Sequence, residues 1–149
     1  MLKFLLLVVI IALLAGFWRT WKIQHDVRNS LFLKGKAAQP DGFFHGVVGK
    51  KTSWLGKKFD AQNSKGINVV SDEKNGQAEK YPFITYMGRG AADNLEVVKI
   101  DYNIKGNPWW LKLILDEIVE VAPNEYLGKM HARIIPGLPF TFLYFTLKK

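Results

Sequence analysis

The chain has 149 residues, of which 48% are hydrophobic and 23% charged, and its formal net charge is +8 at pH 7. It contains no cysteine, which excludes a disulfide scaffold and any cysteine-ligated metal site. The basic residues are mixed with acids and form neither a basic helix nor a stacking motif, so we expect no nucleic-acid partner. The charge fits attraction to anionic lipid head groups or a plainly soluble surface.

The first element is an uninterrupted apolar run over residues 4–18, which Lys3 precedes. A membrane-spanning helix needs about 20 apolar residues, and the run approaches this length when Lys3 snorkels to the head groups. Trp18 and Trp21 suit the interfacial aromatic belt. We therefore predict a single transmembrane anchor over residues 1–22. A signal peptide with a poor cleavage site and a buried core helix are the alternatives.

The residues after the anchor form a connector and then one β-rich domain. The connector covers residues 23–40, and the domain covers residues 41–149. Short apolar runs separated by Gly, Pro, Asn and Asp indicate antiparallel strands. The predicted strands are 43–48, 53–59, 67–71, 83–88, 95–102, 117–122, 126–134 and 140–147. This pattern predicts a mainly β fold, with the strands forming a small closed barrel or a strongly curved half-barrel.

One segment interrupts the strand pattern. Residues 107–115 are predicted to form a short helix, because Asn107 can cap it and Pro108 suits its first position. Trp109 and Trp110 then lie either in the membrane interface or in a lid over one end of the barrel.

The last predicted strand is apolar on both faces. Phe142 lies on one face and Phe145 on the other, because strand side chains alternate. A strand of this kind is either central, beneath a helix or the connector, or in contact with lipid or another subunit. Together with the tryptophans, this gives a set of candidate membrane-interface or partner contacts: Trp18, Trp21, Trp109, Trp110, Phe142 and Phe145.

No residue pattern indicates catalysis. His25, His45 and His131 lack metal-ligand spacing, and phosphate-loop and hydrolase motifs are absent. The adjacent acids Asp116 and Glu117 point to opposite faces of a strand, so they cannot act as a pair. We expect no catalytic residue, no metal and no cofactor, and therefore a protein that is not an enzyme.

Two short stretches carry a family resemblance. Residues 41–46 (DGFFHG) and 54–59 (WLGKKF) resemble the opening of lipocalin-like (calycin) barrels of the bacterial GXWXG and nitrobindin-like types, and the hairpin over 116–129 is similar to one found there. The resemblance implies a β-barrel that binds a small hydrophobic molecule. Nitrobindin-like members bind haem through a late histidine, but the surroundings of His131 do not carry this role over.

These observations lead to two functional hypotheses. The first is a non-catalytic, single-pass protein of a bacterial inner membrane, acting as an accessory subunit or assembly factor among other membrane proteins and lipids. The second is a membrane-tethered carrier of a lipid or other small hydrophobic ligand. Four aromatic residues are candidates for lining its cavity: Phe43, Trp54, Phe83 and Tyr102. The charges flanking the anchor favour a cytoplasmic β-domain, by the positive-inside rule.

Overall fold

The structure is a computed structural model that describes residues 1–50 and 52–149. Helix α1 covers Leu2–Gln24 and helix α2 covers Val27–Lys34. The strands follow in chain order: β1 Gly42–Val47, β2 Trp54–Asp60, β3 Lys65–Asp72, β4 Gly76–Arg89, β5 Glu96–Asp101, β6 Ile114–Ala122, β7 Glu125–Ile135 and β8 Leu138–Lys148. Helix α1 is long and apolar enough to cross a membrane, a test that an N-terminal signal sequence also passes.

The strands form a closed antiparallel barrel in simple up-and-down order. Each strand pairs with the next one along the chain, and β1 closes the barrel on β8 through pairs such as His45 with Lys148. Closure leaves none of the described strands with an open edge. The predicted mainly β class, with an N-terminal apolar helix, is confirmed.

Strand β4 is longer than the sequence predicts. It begins at Gly76 rather than at residue 83, because the polar stretch before Phe83 pairs with β3 although it carries little apolar signal. Pro82 lies beside a register shift, and Tyr81 adopts a positive φ of 60° there. A bulge of this kind tolerates a proline inside a strand.

The predicted helix over residues 107–115 is wrong in type and extent. The structure has only a single 3-10 turn at Leu111–Leu113. Ile114 and Leu115 already belong to β6, where they pair with Ala132 and His131 of β7. Tertiary pairing overrides the local helical tendency of this short apolar segment.

The last third of α1 packs along the outer face of β8. Gly16 lies against Phe140, and the hydroxyl of Thr20 accepts a hydrogen bond of 3.0 Å from the backbone N–H of Thr141. Further along, the hydroxyl of Tyr144 donates a hydrogen bond of 3.1 Å to the carbonyl of Ile23. The helix and the strand therefore run in the same direction. Because α1 covers the outer face of β8 and the barrel interior lies on the other side, both faces of this strand carry apolar side chains.

The two ends of the barrel carry different links between strands. Rim A is the end formed by the described residues of the links over 48–50 and 52–53, 73–75, 102–113 and 136–137. Rim B is the opposite end, formed by the links over 61–64, 90–95 and 123–124. Since β8 starts at rim A and α1 runs parallel to it, the N-terminal part of α1 projects away from the barrel beyond rim A.

The barrel interior is solidly packed toward rim B. Phe44 stacks edge-on against Phe59 and Tyr126, and Phe59 stacks against Phe83. Each of these rings is at most 5% exposed, and burial of such side chains stabilises the fold by about 1.5–3 kcal/mol each. A second core on the outer face joins α1 and α2 to the sheet; its residues are Ile23, Phe32, Val97, Val119, Leu127 and Tyr144.

Candidate functional site

A cavity of about 490 Å³ occupies the other half of the barrel interior. Its walls include Trp54, Met130 and Leu143 from the strands. Thr52 and Trp110, which are both exposed and belong to links of rim A, also line it. The cavity therefore opens at rim A and ends on the packed core toward rim B. Its volume lies in the range of about 300–1,000 Å³ that is typical of small-ligand sites.

Four polar side chains meet at the inner end of this cavity. The ammonium of Lys57 lies 3.0 Å from Oδ1 of Asn68 and 3.1 Å from Oδ2 of Asp116, and it also donates to the hydroxyl of Tyr102. The Tyr102 hydroxyl in turn donates to Oδ2 of Asp116 at 3.1 Å. We call these four residues the inner quartet. Each one lies on a different part of the barrel wall, so closure of the barrel assembles them.

The inner quartet is shielded from bulk water. Lys57 is 2% exposed and Asp116 is 4% exposed. Burial lowers the pKa of the Lys57 ammonium, and the charge and hydrogen bond of Asp116 oppose that shift. Burial and the negative charge of Asp116 raise the pKa of the Tyr102 hydroxyl well above its usual value. The hydroxyl therefore keeps its proton and serves as a neutral hydrogen-bonding group.

Aromatic rings surround the Lys57 ammonium. The centroids of Trp54, Phe83, Tyr102 and Phe145 lie 5.0–5.5 Å from Nζ. Cation–π contacts at such distances partly replace lost hydration. The indole N–H of Trp54 also donates to Oδ1 of Asn68 at 3.0 Å, which ties the aromatic wall to the inner quartet.

Two glycines leave the space that two of the cavity's aromatic rings occupy. A Cβ on Gly46 would come within 2.4 Å of the Trp54 ring, and a Cβ on Gly128 within 2.2 Å of the Phe145 ring. Each ring therefore lies flat in a recess that only glycine leaves open. The shape of the cavity depends on these two close approaches.

The hydrogen-bond inventory shows what the inner quartet can still bind. The three protons of the Lys57 ammonium have three oxygen neighbours, on Asn68, Tyr102 and Asp116. Oδ1 of Asp116, which lines the cavity, has no hydrogen-bond partner among the residues that the structure describes. The site therefore offers a carboxylate oxygen as an acceptor, and it suits a group that donates a hydrogen bond.

The predicted cavity residues divide into two groups. Trp54 and Tyr102 line the cavity, and Phe83 lies in the core beneath it, in edge-on contact with Tyr102. Phe43 does not face the interior: it alternates with the buried Phe44 and packs edge-on against His45 on the outer face. Strand alternation makes one residue of the pair Phe43–Phe44 internal, and the sequence alone did not indicate which one.

The predicted interface residues also divide. Trp18, Trp21, Trp109 and Trp110 are 59%, 56%, 77% and 49% exposed. Phe142 is half-buried on the outer face of β8. Phe145 does not belong with them, because it is 5% exposed inside the barrel, where it lines the cavity and stacks edge-on against Trp54.

Three of the four members of the inner quartet, all except Tyr102, were missed by sequence reasoning. Lys57 and Phe59 are both inward-facing, so a lysine stands at a position where the strand pattern calls for an apolar residue. Asn68 and Asp116 likewise occupy buried positions of β3 and β6. Polar residues at core positions on three different strands were the signal that could have revealed the inner quartet.

A second buried polar cluster lies on the outer face of β6 and β7. Oε2 of Glu117 is 3.1 Å from Nε2 of His131, and both side chains are fully buried. Oε1 of Glu117 accepts from the backbone N–H of Ala91, and Nδ1 of His131 lies 2.9 Å from the hydroxyl of Thr141. This outer cluster lies outside the barrel and does not line the cavity.

The described residues, 1–50 and 52–149, were also searched for a metal site, and the chain was compared with known proteins. No group of three or more His, Asp or Glu side chains in these residues could hold a metal ion. No family model matches the chain, and no curated protein or solved structure is significantly similar to it. The lipocalin-like resemblance therefore stays a prediction, while the barrel itself is observed.

Proposed function

We propose that the protein is a membrane-anchored binding barrel that carries one small amphiphilic molecule in its interior. The observation that carries this proposal is the half-empty barrel, whose cavity of about 490 Å³ opens at one rim and ends on the inner quartet. The apolar chain or ring system of the ligand would fill the part of the cavity between rim A and the inner quartet, against Met130, Leu143 and Phe145. Its polar end would reach Asp116.

The inner quartet favours a particular class of polar end. Lys57 and Asp116 compensate each other's charge, and the Lys57 protons are already directed at protein oxygens. A ligand carboxylate would meet the carboxylate of Asp116 in a site of low polarity, where like charges repel strongly. A hydroxyl or an uncharged amine would instead donate to Asp116, whereas a protonated amine would meet the Lys57 ammonium. We therefore propose a long-chain or polycyclic alcohol or amine as the ligand class.

Retention of α1 as a transmembrane anchor is part of the proposal. Gly16, Thr20 and Ile23 pack or hydrogen-bond against β8, so this helix belongs to the folded domain. Cleavage after Gly16 would remove the contact of Gly16 with Phe140, while Thr20 and Ile23 would stay with the barrel. This packing supports a retained anchor over a removed signal peptide.

Quenching of Trp54 fluorescence tests the binding site. The full-length protein in mild detergent is titrated with a brominated long-chain alcohol and with the matched brominated carboxylate. The alcohol should quench the emission that is lost in Trp54→Phe, and it should do so at roughly tenfold lower concentration than the carboxylate, because one good hydrogen bond in a dry site is worth about 1–1.5 kcal/mol.

The matched control for this titration removes the charges of the inner quartet together. Lys57→Met combined with Asp116→Leu keeps the cavity apolar, so the preference for the alcohol should disappear. Equal quenching by both ligands in the wild-type protein would contradict the proposed ligand class. Absence of Trp54 quenching by either ligand would contradict the carrier function.

An accessory subunit of a membrane complex is the second candidate function. It is favoured by the free part of α1, whose apolar side chains from Phe4 to Ile11 are 44–72% exposed. Such a face can pack against other transmembrane helices. Stoichiometric co-purification of other membrane proteins in mild detergent, lost when this face is changed, would support it.

A further inference from the structure

We propose that rim A is a membrane-docking surface, which seats the open end of the barrel in the head-group layer so that the cavity communicates with the bilayer. The proposal rests on the membrane span of α1 put forward above. It adds an orientation and a partner, a glycerophospholipid surface with anionic head groups, and it predicts how a ligand enters.

The free length of α1 is too short to hold the barrel away from the membrane. The apolar run begins after Lys3, and the first buried residue of α1 is Gly16, which lies against Phe140. At 1.5 Å per residue this interval spans about 20 Å, whereas the hydrocarbon core of a bilayer is about 30 Å thick. Snorkelling of Lys3 recovers part of the difference. The rest of the hydrocarbon thickness can be spanned only if the barrel lies against the membrane.

The register between α1 and β8 identifies the part of the barrel that lies nearest the membrane. Phe140 is level with Gly16, and β8 begins two residues earlier, at Leu138. Two strand residues rise about 7 Å, so Leu138 lies near the level of Ala12, beyond Trp18 in the direction of the membrane. If Trp18 and Trp21 lie in the interfacial belt, the β7–β8 link must lie within the membrane surface.

The composition of rim A fits this location. In its links, Trp109 is 77% and Trp110 49% exposed. In the strand ends beside the link over 136–137, Ile134 is 57% and Leu138 40% exposed. The described residues of its four links include four lysines and one glutamate. Aromatic rings and lysines together are typical of protein surfaces in contact with an anionic membrane.

Rim B has a different composition. Its three links contain one aspartate and no lysine or arginine, and none of their described residues is an exposed large hydrophobic side chain. The contrast between the two rims indicates that only one end of the barrel faces a membrane. Since Trp110 lines the cavity and belongs to rim A, the mouth of the cavity faces the lipid. A ligand can therefore enter from the bilayer without crossing water.

The absence of cysteine allows a direct test of this orientation. Single substitutions Trp109→Cys and Leu138→Cys place a unique thiol on rim A, and Ala92→Cys places one on rim B as the matched control. All three positions are exposed, so the fold should tolerate them. Each full-length variant is labelled with an environment-sensitive fluorophore and reconstituted into phosphatidylglycerol–phosphatidylcholine vesicles that contain brominated acyl chains.

Docking predicts that brominated lipid quenches both rim A labels at least threefold more strongly than the rim B label, and that aqueous iodide quenches them less. Equal quenching at the three positions would overturn the proposal. The Lys57→Met, Asp116→Leu double variant should keep the rim A quenching, because docking does not need the inner quartet. This result separates failure of docking from failure of the carrier function.

Discussion

Asp116 and Glu117 are neighbours in β6, yet they belong to different buried polar clusters. Asp116 points into the barrel, pairs with Lys57 and lines an open cavity. Glu117 points outward, contacts His131 and accepts from the backbone of Ala91. Both carboxylates are buried, but only Asp116 borders space that a ligand can occupy.

The comparison separates a binding role from a structural role. The outer cluster joins β6 and β7 to the β4–β5 link and, through Thr141 of β8, to the segment that contacts α1. The inner quartet joins strands that are already joined by the closed barrel, so it is not needed to hold elements together. Buried ion pairs contribute little net stability. Loss of the whole inner quartet should therefore affect binding far more than folding.

The largest expected effect comes from breaking the inner ion pair on one side. Asp116→Leu leaves the Lys57 ammonium buried without its anionic partner and should lower the free energy of unfolding by about 3–5 kcal/mol. Adding Lys57→Met should restore most of that loss. Denaturant unfolding in detergent measures both variants. A double variant as unstable as the single one would show that the inner quartet is structural after all.

A smaller effect is expected where α1 meets the barrel. Gly16→Leu should lower the free energy of unfolding by about 1–3 kcal/mol, because a Cβ at this position would stand 2.9 Å from the Phe140 ring. Ala12→Leu is the matched control, since Ala12 is exposed on the same helix. Equal stability of the two variants would contradict the packing of α1 on β8.

The outer cluster predicts a pH dependence. Burial raises the pKa of the Glu117 carboxyl, but the nearby His131 ring, the Ala91 N–H and Lys99 lower it by more, so the net shift is downward from 4.5. A carboxyl with a lowered folded-state pKa stabilises the fold fully above its unfolded pKa, and this contribution is lost as the pH falls. Stability should therefore decline below about pH 4.5.

Glu117→Gln isolates this contribution from that of other carboxyls. The difference in unfolding free energy between the wild-type protein and the variant should be constant at pH 6–7, in keeping with the linkage relation, and should shrink at about pH 3–4. A difference that does not change with pH would mean that the charge of Glu117 is not what stabilises the outer cluster.

The smallest expected change in stability is that of Tyr102→Phe. It removes one hydroxyl from the inner quartet and should cost about 1 kcal/mol of unfolding free energy. It also removes one of the two groups that contact Oδ2 of Asp116, while Lys57 stays beside it, so this oxygen can accept a second hydrogen bond from an uncharged amine ligand. Titration with matched brominated amine and alcohol checks this: the amine should gain affinity relative to the alcohol.

The strands were predictable from sequence, because alternation and turn residues are local signals. The interior of the barrel was less predictable. Phe43 and Phe44 are chemically identical neighbours, so only the register of β1 on β2 decides which one is internal. Lys57, Asn68 and Asp116 are far apart in sequence, and only closure of the barrel brings their side chains together. The 3-10 turn at Leu111–Leu113 likewise depends on β6 pairing with β7.

Native mass spectrometry of the full-length protein, released from mild detergent in the gas phase, tests the central claim most directly. The account predicts one small amphiphile bound per chain, identified after extraction as an alcohol or amine, and a lower occupancy of that molecule in the Lys57→Met, Asp116→Leu double variant. A chain that is always free of small molecules, or a double variant that retains the same molecule at the same occupancy, would contradict it.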